Sequence, residues 1–313
     1  MSEMKHSTMT RKEQHIQGVW TAALTPLHAD LSPDTDLLLE HCHRLLASGC
    51  NGVVLLGTTG EANSFSLKER MQIVNAVGQA DIASEKCIIG TGCCSFSDTM
   101  ELSQYALDRG FHQLLILPPF YYKEIQQDGL LEYFNLLLNK IRTPELKILY
   151  YHFPKLTGIT ISKEFISKLN GKYPHNFIGI KDSSGDWAHM QELCHSFPGF
   201  QIFAGSEEFL LSIMKNGGAG CISATTNITG TLAVEVYKKW QGSEGKVLQE
   251  KLTGIRKAIA GFPLIPALKT IMAVIHNDNR WLTLRPPHVL LTQDEQLKLL
   301  AVMKTVGIGQ NLF

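Results

Sequence analysis

The sequence has no excess of charge of either sign, since 29 lysines and arginines balance 29 aspartates and glutamates among its 313 residues. A chain without a dense basic surface is not expected to bind nucleic acid or an anionic membrane. No apolar run approaches the roughly 20 residues that a membrane-spanning helix needs. With 44% hydrophobic and 19% charged residues, the composition is typical of a globular protein with one large α/β domain or two smaller ones.

Metal-binding and phosphate-binding motifs are missing as well. The seven cysteines do not recur with histidines or carboxylates at the spacing of a metal site, and there is no Walker loop. An odd number of cysteines without such spacing indicates reduced thiols and a cytoplasmic location. Residues 1–16 are polar, lack the apolar segment of a signal peptide, and are expected to form a loose arm.

Short apolar runs alternate with helix signals eight times between residues 17 and 243. The runs lie at 19–26, 53–56, 87–92, 113–117, 146–151, 177–180, 200–205 and 220–223. This rhythm predicts parallel strands with crossover helices, and eight repeats predict a closed (β/α)8 TIM barrel. The rival, an open doubly wound sheet, normally has a Gly-x-Gly-x-x-Gly turn after its first strand, and this chain has none there. Residues 244–313 are predicted to add a C-terminal helical extension with about three helices.

One stretch, FIGIKDSSGD from Phe177 to Asp186, carries the most specific chemical signal. Its apolar start predicts a buried strand that ends at Lys181. A lysine at the dry end of a strand loses hydration, which lowers the pKa of its amine and makes it a nucleophile that can condense with a ketone. The alternative is an ordinary solvated lysine just past a strand. Because the carboxyl ends of barrel strands meet at the active-site face, the groups after the other strands decide between these interpretations.

Groups suited to proton transfer and to binding follow the other predicted strands. Tyr151 ends the fifth strand, and its phenol can donate or accept a proton, whereas the neighbouring His152 is expected to be structural. Thr58 and Thr59 follow the second strand, where hydroxyls and turn amides can hold a carboxylate. The other candidates at strand ends are Tyr121, Ser183, Gly205, Glu207, Glu208 and Ser223. One phenol, one lysine and several hydroxyls favour covalent amine chemistry over metal chemistry.

Six motifs in order resemble the dihydrodipicolinate synthase / N-acetylneuraminate lyase family of class I aldolases. They are TAALTP at 21–26, GTTGE at 57–61, PFYY at 119–122, YHFP at 151–154, GIKDS at 179–183 and RPP at 285–287. The resemblance runs from about Gly18 to Leu291. It implies a (β/α)8 barrel with a C-terminal helical extension, usually assembled as a homotetramer.

The resemblance also implies roles for individual residues. Lys181 would form a Schiff base with pyruvate or another 2-oxo acid, and Tyr151 would relay protons near the imine. Thr58 would link Tyr151 to Tyr121, which in relatives enters the site of the neighbouring subunit. Thr58 and Thr59 would hold the carboxylate of the small-molecule 2-oxo acid. No metal and no cofactor other than the covalent lysine adduct is implied.

Two positions bear on which members of the family the chain resembles. Synthases usually carry an arginine where this chain has Leu156, and leucine cannot make a bidentate contact with a carboxylate. Neuraminate lyases also have leucine there, and the carboxylates of Glu207 and Glu208 suit a polyhydroxylated substrate. We therefore predict cleavage or dehydration of a 2-keto-3-deoxy sugar acid or a similar 4-hydroxy-2-oxo acid. The alternatives are 4-hydroxy-tetrahydrodipicolinate synthesis from pyruvate and aspartate semialdehyde, or a barrel that binds a 2-oxo acid without turnover.

Overall fold

A computed structural model describes residues 16–308, in which eight parallel strands close into a barrel. The strands are β1 (Gly18–Ala22), β2 (Gly52–Leu55), β3 (Cys87–Gly90), β4 (Gln113–Ile116), β5 (Lys147–His152), β6 (Phe177–Asp182), β7 (Gln201–Ala204) and β8 (Gly220–Ser223). Neighbouring strands follow in sequence order, and β8 closes on β1 with Val19 opposite Cys221. The predicted (β/α)8 barrel is confirmed.

Helices form the outer layer and continue past the barrel. They are α1 (Thr35–Ala47), α2 (Leu67–Gln79), α3 (Phe96–Leu107), α4 (Gln127–Ile141), α5 (Pro154–Thr157), α6 (Lys163–Lys172), α7 (Trp187–Ser196), α8 (Leu210–Lys215), α9 (Thr226–Lys239), α10 (Ser243–Ile259), α11 (Leu264–His276) and α12 (Gln293–Val306). Helices α10 to α12 are the predicted C-terminal helical extension. The division into domains at 17–243 and 244–313 stays a prediction.

The first strand is shorter than the predicted run of residues 19–26. The N–H of Ala23 still donates to the carbonyl of Val54 (3.0 Å), but the N–H of Leu24 donates to the side-chain oxygen of Asn227 on α9 (3.1 Å). A side chain therefore replaces the neighbouring strand as the hydrogen-bond partner. The rest of the run is buried without being paired in the sheet.

Successive side chains of each strand point alternately into the barrel and toward the helices. A larger apolar cluster fills the space between strands and helices. On β5 and β6 the alternation turns Tyr151 and Lys181 inward, while His152 and Asp182 face the helices. The barrel interior is packed with apolar side chains that include Trp20, Val54, Ile88, Leu115, Leu149, Phe203 and Ile222.

Among residues 16–308, no single helix is both long and apolar enough to cross a membrane. Helices α10 and α11 meet the length and composition criteria only as a pair that bends by 109°. The loose arm predicted for residues 1–16 lies outside the described residues except for Ile16, which is buried in the interior cluster of the barrel.

Candidate active site

The carboxyl ends of the strands open into a cavity of about 780 Å³. The barrel brings residues that are far apart in sequence to this face, because all eight strands run in the same direction. Of the predicted site residues, Tyr121, Glu207 and Ser223 do not line the cavity. The seven that do are Thr58, Thr59, Tyr151, Lys181, Ser183, Gly205 and Glu208.

Lys181 is a buried basic residue that lines this cavity. The residue is 3% exposed, and its Nζ lies 4.2 Å from the centroid of the Tyr151 ring. The electron-rich face of that ring attracts a cation without neutralising it. No ion pair or hydrogen bond joins the Lys181 amine to another residue in the part of the chain that the structure describes. A dry amine without a carboxylate partner is available to attack a carbonyl carbon in the cavity.

The phenol oxygen of Tyr151 and the hydroxyl oxygen of Thr58 lie 3.3 Å apart. Either group can donate, so the pair can pass a proton between the cavity and the loop after β2. Tyr121 is not brought to this pair. It is 73% exposed and packs edge-to-face on Tyr122, with ring centroids 5.3 Å apart. A single chain therefore forms the Tyr151–Thr58 pair and leaves Tyr121 on its surface.

A buried ion pair fixes the loop that carries Thr58 and Thr59. Glu61 lies in this loop with a left-handed backbone (φ +55°), and its carboxylate is 2.5 Å from Nζ of Lys269 on α11. Both side chains are fully buried, and Lys269 also donates to the carbonyl of Thr283 at 3.0 Å. Burial lowers the pKa of Lys269, and the attraction of Glu61 opposes that shift. Helix α11 of the C-terminal extension thus anchors the loop through this ion pair.

Gly205 allows the end of β7 to pack closely against β6. Its N–H donates to the carbonyl of Asp182 at 2.6 Å. A Cβ atom at this position would lie 2.1 Å from Oγ of Ser183. Any larger residue would therefore displace Ser183 from the cavity wall.

The adjacent carboxylates predicted to bind a polyhydroxylated substrate lie on different sides of the barrel wall. Glu208 lines the cavity, where Nζ of Lys257 approaches it to 3.4 Å. Glu207 is fully buried behind β8 and accepts a hydrogen bond from the hydroxyl of Ser223. Ser223 faces the helices because it is one strand position away from the inward-facing Ile222. Contrary to the prediction, the structure brings neither Glu207 nor Ser223 into the cavity.

The outward side chains of β5 and β6 form a second polar cluster behind Lys181. Asp182 accepts hydrogen bonds from Nδ1 of His189 (2.6 Å) and from the N–H of Ser184 (2.8 Å). The ring of His152 packs on His189 with centroids 5.0 Å apart. The hydrogen bond to Asp182 raises the pKa of His189, whereas burial lowers the pKa of His152. The Asp182–His189 hydrogen bond is therefore the strongest polar contact of this cluster, and the His152 ring packs beside it.

This outer cluster also has a geometry that could hold a metal ion, which the sequence did not predict. Ligand atoms of His152, Asp182 and His189 all lie within 4.8 Å of one another. Sequence spacing missed the group because its members come from two strands and a helix. The cluster faces the helices, so a metal there would not contact a molecule in the cavity through these side chains.

Basic side chains of the C-terminal extension also line the cavity, and none of them was predicted as a site residue. Arg256 and Lys257 come from α10, and His288 lies between α11 and α12. Sequence reasoning looked only at residues that follow strands, so it had no signal that α10 packs beside the cavity. The apolar part of the same wall consists of Ala260, Pro263, Leu264, Ile265 and Pro266.

A (β/α)8 barrel whose active-site face combines a buried lysine, a phenol and hydroxyls has the architecture of a lyase of the class I aldolase type. The model of the dihydrodipicolinate synthetase family matches residues 15–306. The chain belongs to this family.

Individual relatives agree with this assignment. The chain is 33% identical over 295 residues to an uncharacterized DapA-like lyase of Chloroflexus aurantiacus, covering 94% of this chain and 98% of the relative. It is 34% identical over 231 residues to a 4-hydroxy-tetrahydrodipicolinate synthase of Methanopyrus kandleri, covering 73% and 75%. The crystal structure of dihydrodipicolinate synthase from Agrobacterium tumefaciens superimposes with a TM-score of 0.85 at 30% identity, covering 92% of this chain and 99% of that one.

Proposed function

We propose that this protein is a Schiff-base aldolase or lyase that acts on pyruvate or on a 4-hydroxy-2-oxo acid such as a 2-keto-3-deoxy sugar acid. It uses no cofactor other than the covalent adduct on Lys181. The observation that carries the proposal is the Lys181 amine, which is buried, has no carboxylate partner and lies 4.2 Å from the Tyr151 ring in an open cavity. Membership of the dihydrodipicolinate synthetase family supports the same chemistry.

The reaction begins when the Lys181 amine adds to the C2 carbonyl of the 2-oxo acid and water leaves, which gives a protonated imine. Removal of the proton from the 4-hydroxyl group sends the electrons of the C3–C4 bond into the imine, releasing an aldehyde and leaving an enamine. Protonation at C3 and hydrolysis of the imine return pyruvate and the free lysine. The reverse sequence forms the bond. In dehydration, a proton is instead removed from C3 of the imine, and the resulting enamine expels the 4-hydroxyl group, which is protonated and leaves as water.

Tyr151 and Thr58 are the groups to which we assign these proton transfers, because their oxygens are 3.3 Å apart at the wall that holds Lys181. Thr58 and Thr59 bind the C1 carboxylate with hydroxyl and amide donors. The Glu61–Lys269 ion pair keeps those donors in position.

Synthesis of 4-hydroxy-tetrahydrodipicolinate is the second candidate, because the relative from Methanopyrus kandleri carries that name at 34% identity. Leu156 argues against it. This side chain lines the cavity and is 54% exposed, and it offers no hydrogen bond to the carboxylate of aspartate semialdehyde.

A homotetramer and a cytoplasmic location belong to the same proposal. Tyr121 and Tyr122 are each 73% exposed, as expected of aromatic side chains that a neighbouring subunit covers. Tyr121 then supplies its phenol to the partner's Thr58, as the resemblance implies. All seven cysteines are unpaired, which suits a reducing compartment.

Borohydride trapping tests the mechanism. Incubation with pyruvate and borohydride should reduce the imine and add one 1-carboxyethyl group to the peptide that contains Lys181. The matched control is Lys269, the other buried lysine among residues 16–308, whose peptide should stay unmodified. If no adduct forms, or if the adduct lies on another lysine, the proposed mechanism is wrong.

A substrate comparison tests the specificity. We expect kcat/KM for cleavage of 2-keto-3-deoxygluconate or N-acetylneuraminate to exceed kcat/KM for the condensation of pyruvate with aspartate semialdehyde. If the aspartate semialdehyde reaction is fastest, the second candidate replaces the first. Trapping on Lys181 without turnover of any of these compounds would favour a barrel that only binds 2-oxo acids.

A further inference from the structure

The cavity carries positive charge that the proposed chemistry does not use. Lys155, Arg256 and Lys257 all line it. The carboxylate of Glu208 also lines the cavity and pairs with Lys257 at 3.4 Å. Asp182 contributes to the wall as well, but its carboxylate is engaged by His189 and the backbone of the loop.

Arg256 is the most constrained of these cations. It is partly buried, and its Nη1 donates to Oγ1 of Thr225 at 2.6 Å. Thr225 is itself fully buried and follows β8, so the contact fixes the guanidinium at the carboxyl end of the barrel. No carboxylate pairs with Arg256 anywhere in residues 16–308.

Removing a guanidinium partly from water costs free energy, and a bound anion offsets that cost. The guanidinium also carries five N–H donors in a planar fork. Thr225 accepts from one of them. The others suit a carboxylate or phosphate group that enters the cavity. Leu156 in the same cavity cannot take this role, and the exposed ammonium of Lys155 adds to the positive potential there.

We propose that Arg256 binds an anionic group, a carboxylate or a phosphate, at the end of the substrate distal to its 2-oxo acid. This inference rests on the proposed function, in which Lys181 holds C2 while Thr58 and Thr59 hold the C1 carboxylate. The remaining volume of the cavity receives the distal end, where the structure presents a guanidinium and one carboxylate rather than the pair predicted from Glu207 and Glu208. Within the proposed function, this narrows the substrate class to 4-hydroxy-2-oxo acids that carry a second anionic group at the distal end, so a phosphorylated or carboxylated 2-keto-3-deoxy acid should be a better substrate than its neutral counterpart.

The test compares aldehydes in the condensation with pyruvate. Succinate semialdehyde is matched with neutral butanal, and glyceraldehyde 3-phosphate with neutral glyceraldehyde. The wild-type protein should have a higher kcat/KM for the anionic member of at least one pair, and which pair shows this identifies a carboxylate or a phosphate. Arg256→Met should lower that preference by about 10- to 100-fold, mainly through the KM for the aldehyde, because a charge-assisted hydrogen bond is lost. Arg256→Lys should restore part of it.

The matched control is Lys251→Met, which removes an exposed cation of the same helix that does not line the cavity. Its preference should equal that of the wild-type protein. An unchanged preference in folded Arg256→Met, or no preference in the wild-type protein, overturns the inference. If Arg256→Met does not fold, ionic strength replaces it: salt should lower kcat/KM for the anionic aldehyde alone, and an equal response of both aldehydes overturns the inference.

Trapping separates this inference from the function on which it rests. Pyruvate and borohydride should modify Lys181 in Arg256→Met as in the wild-type protein, because Arg256 does not contact the 2-oxo acid. An adduct on Lys181 together with an unchanged aldehyde preference refutes the role of Arg256 alone. A missing adduct in the wild-type protein refutes the proposed function instead.

Discussion

Lys181 and Lys269 are the two buried lysines within residues 16–308, and their surroundings differ in one respect that decides what each can do. Lys269 lies 2.5 Å from the carboxylate of Glu61 and donates to the carbonyl of Thr283. Lys181 has the face of Tyr151 and an open cavity instead. Burial alone therefore does not make a lysine a nucleophile. The absence of a carboxylate partner, together with access to a cavity, separates the amine proposed to react from the structural one.

The largest expected effect is the loss of activity when the amine proposed to form the imine is removed. Lys181→Met should lower kcat/KM by on the order of 10⁴-fold or more, because no covalent intermediate can form. The rate of pyruvate release from a 4-hydroxy-2-oxo acid measures this. Lys251→Met is the control, since that side chain is exposed. Retention of most of the activity would show that Lys181 is not the reacting amine.

The next largest effect falls on stability at the other buried lysine. Lys269→Met should destabilise the fold by about 3–5 kcal/mol, because Glu61 is left buried without its partner. Urea unfolding measures the change. The double variant Glu61→Gln/Lys269→Met should lose less than Lys269→Met alone, since it removes both charges. A double variant that loses more would mean that the ion pair is not the main contribution of Lys269.

The burial of Lys181 and its position at the end of a strand were predictable from the sequence. The burial of Lys269 and its ion pair with Glu61 were not. The strand pattern and its position at the end of β6 indicated that Lys181 is buried at the active-site face, because parallel barrel strands place their ends together. Lys269 belongs to a helix that pairs with a loop some two hundred residues earlier in the chain. No local pattern encodes such a contact, since it depends on how the C-terminal extension packs on the barrel.

The same distinction explains why Glu207 was expected in the cavity and why Arg256 was not considered. Sequence position placed Glu207 after β7, but the turn there directs its side chain behind β8, where Ser223 binds it. Arg256 follows no strand and was overlooked, although α10 brings it into the cavity. Strand ends were therefore predictable from periodicity, whereas side-chain direction in the loops and the contribution of the extension required tertiary structure.

A buried histidine, His41, is a further buried basic group, and its burial makes the stability of the fold depend on pH. His41 is 1% exposed, and its Nε2 donates to the side-chain oxygen of Asn227 at 2.7 Å. Its Nδ1 has no hydrogen-bond partner among the described residues. Burial lowers the pKa of His41 to about 4, because a second proton would be placed on that dry nitrogen.

The depressed pKa of His41 predicts acid lability. The unfolded chain takes up a proton near the ordinary pKa of about 6.5, whereas the folded protein does so only near 4. Stability is therefore lost as the pH falls from about 6.5 to 4, by on the order of 3 kcal/mol for this group. Urea unfolding at several pH values should show a shallower loss in His41→Gln than in the wild-type protein. Parallel curves for the two proteins would exclude His41 as a source of the lability.

The smallest expected effect is the most direct test of the comparison between the two lysines. Lys181→Met should change the free energy of unfolding by no more than about 1 kcal/mol. The prediction allows this change to be an increase or a decrease. Removing Lys181 leaves no carboxylate unpaired, and a thioether in the same place has no polar group that must be desolvated. Urea unfolding beside Lys269→Met gives the contrast. If Lys181→Met were as destabilising as Lys269→Met, then Lys181 would also support the fold, and a missing carboxylate partner would no longer distinguish the two residues.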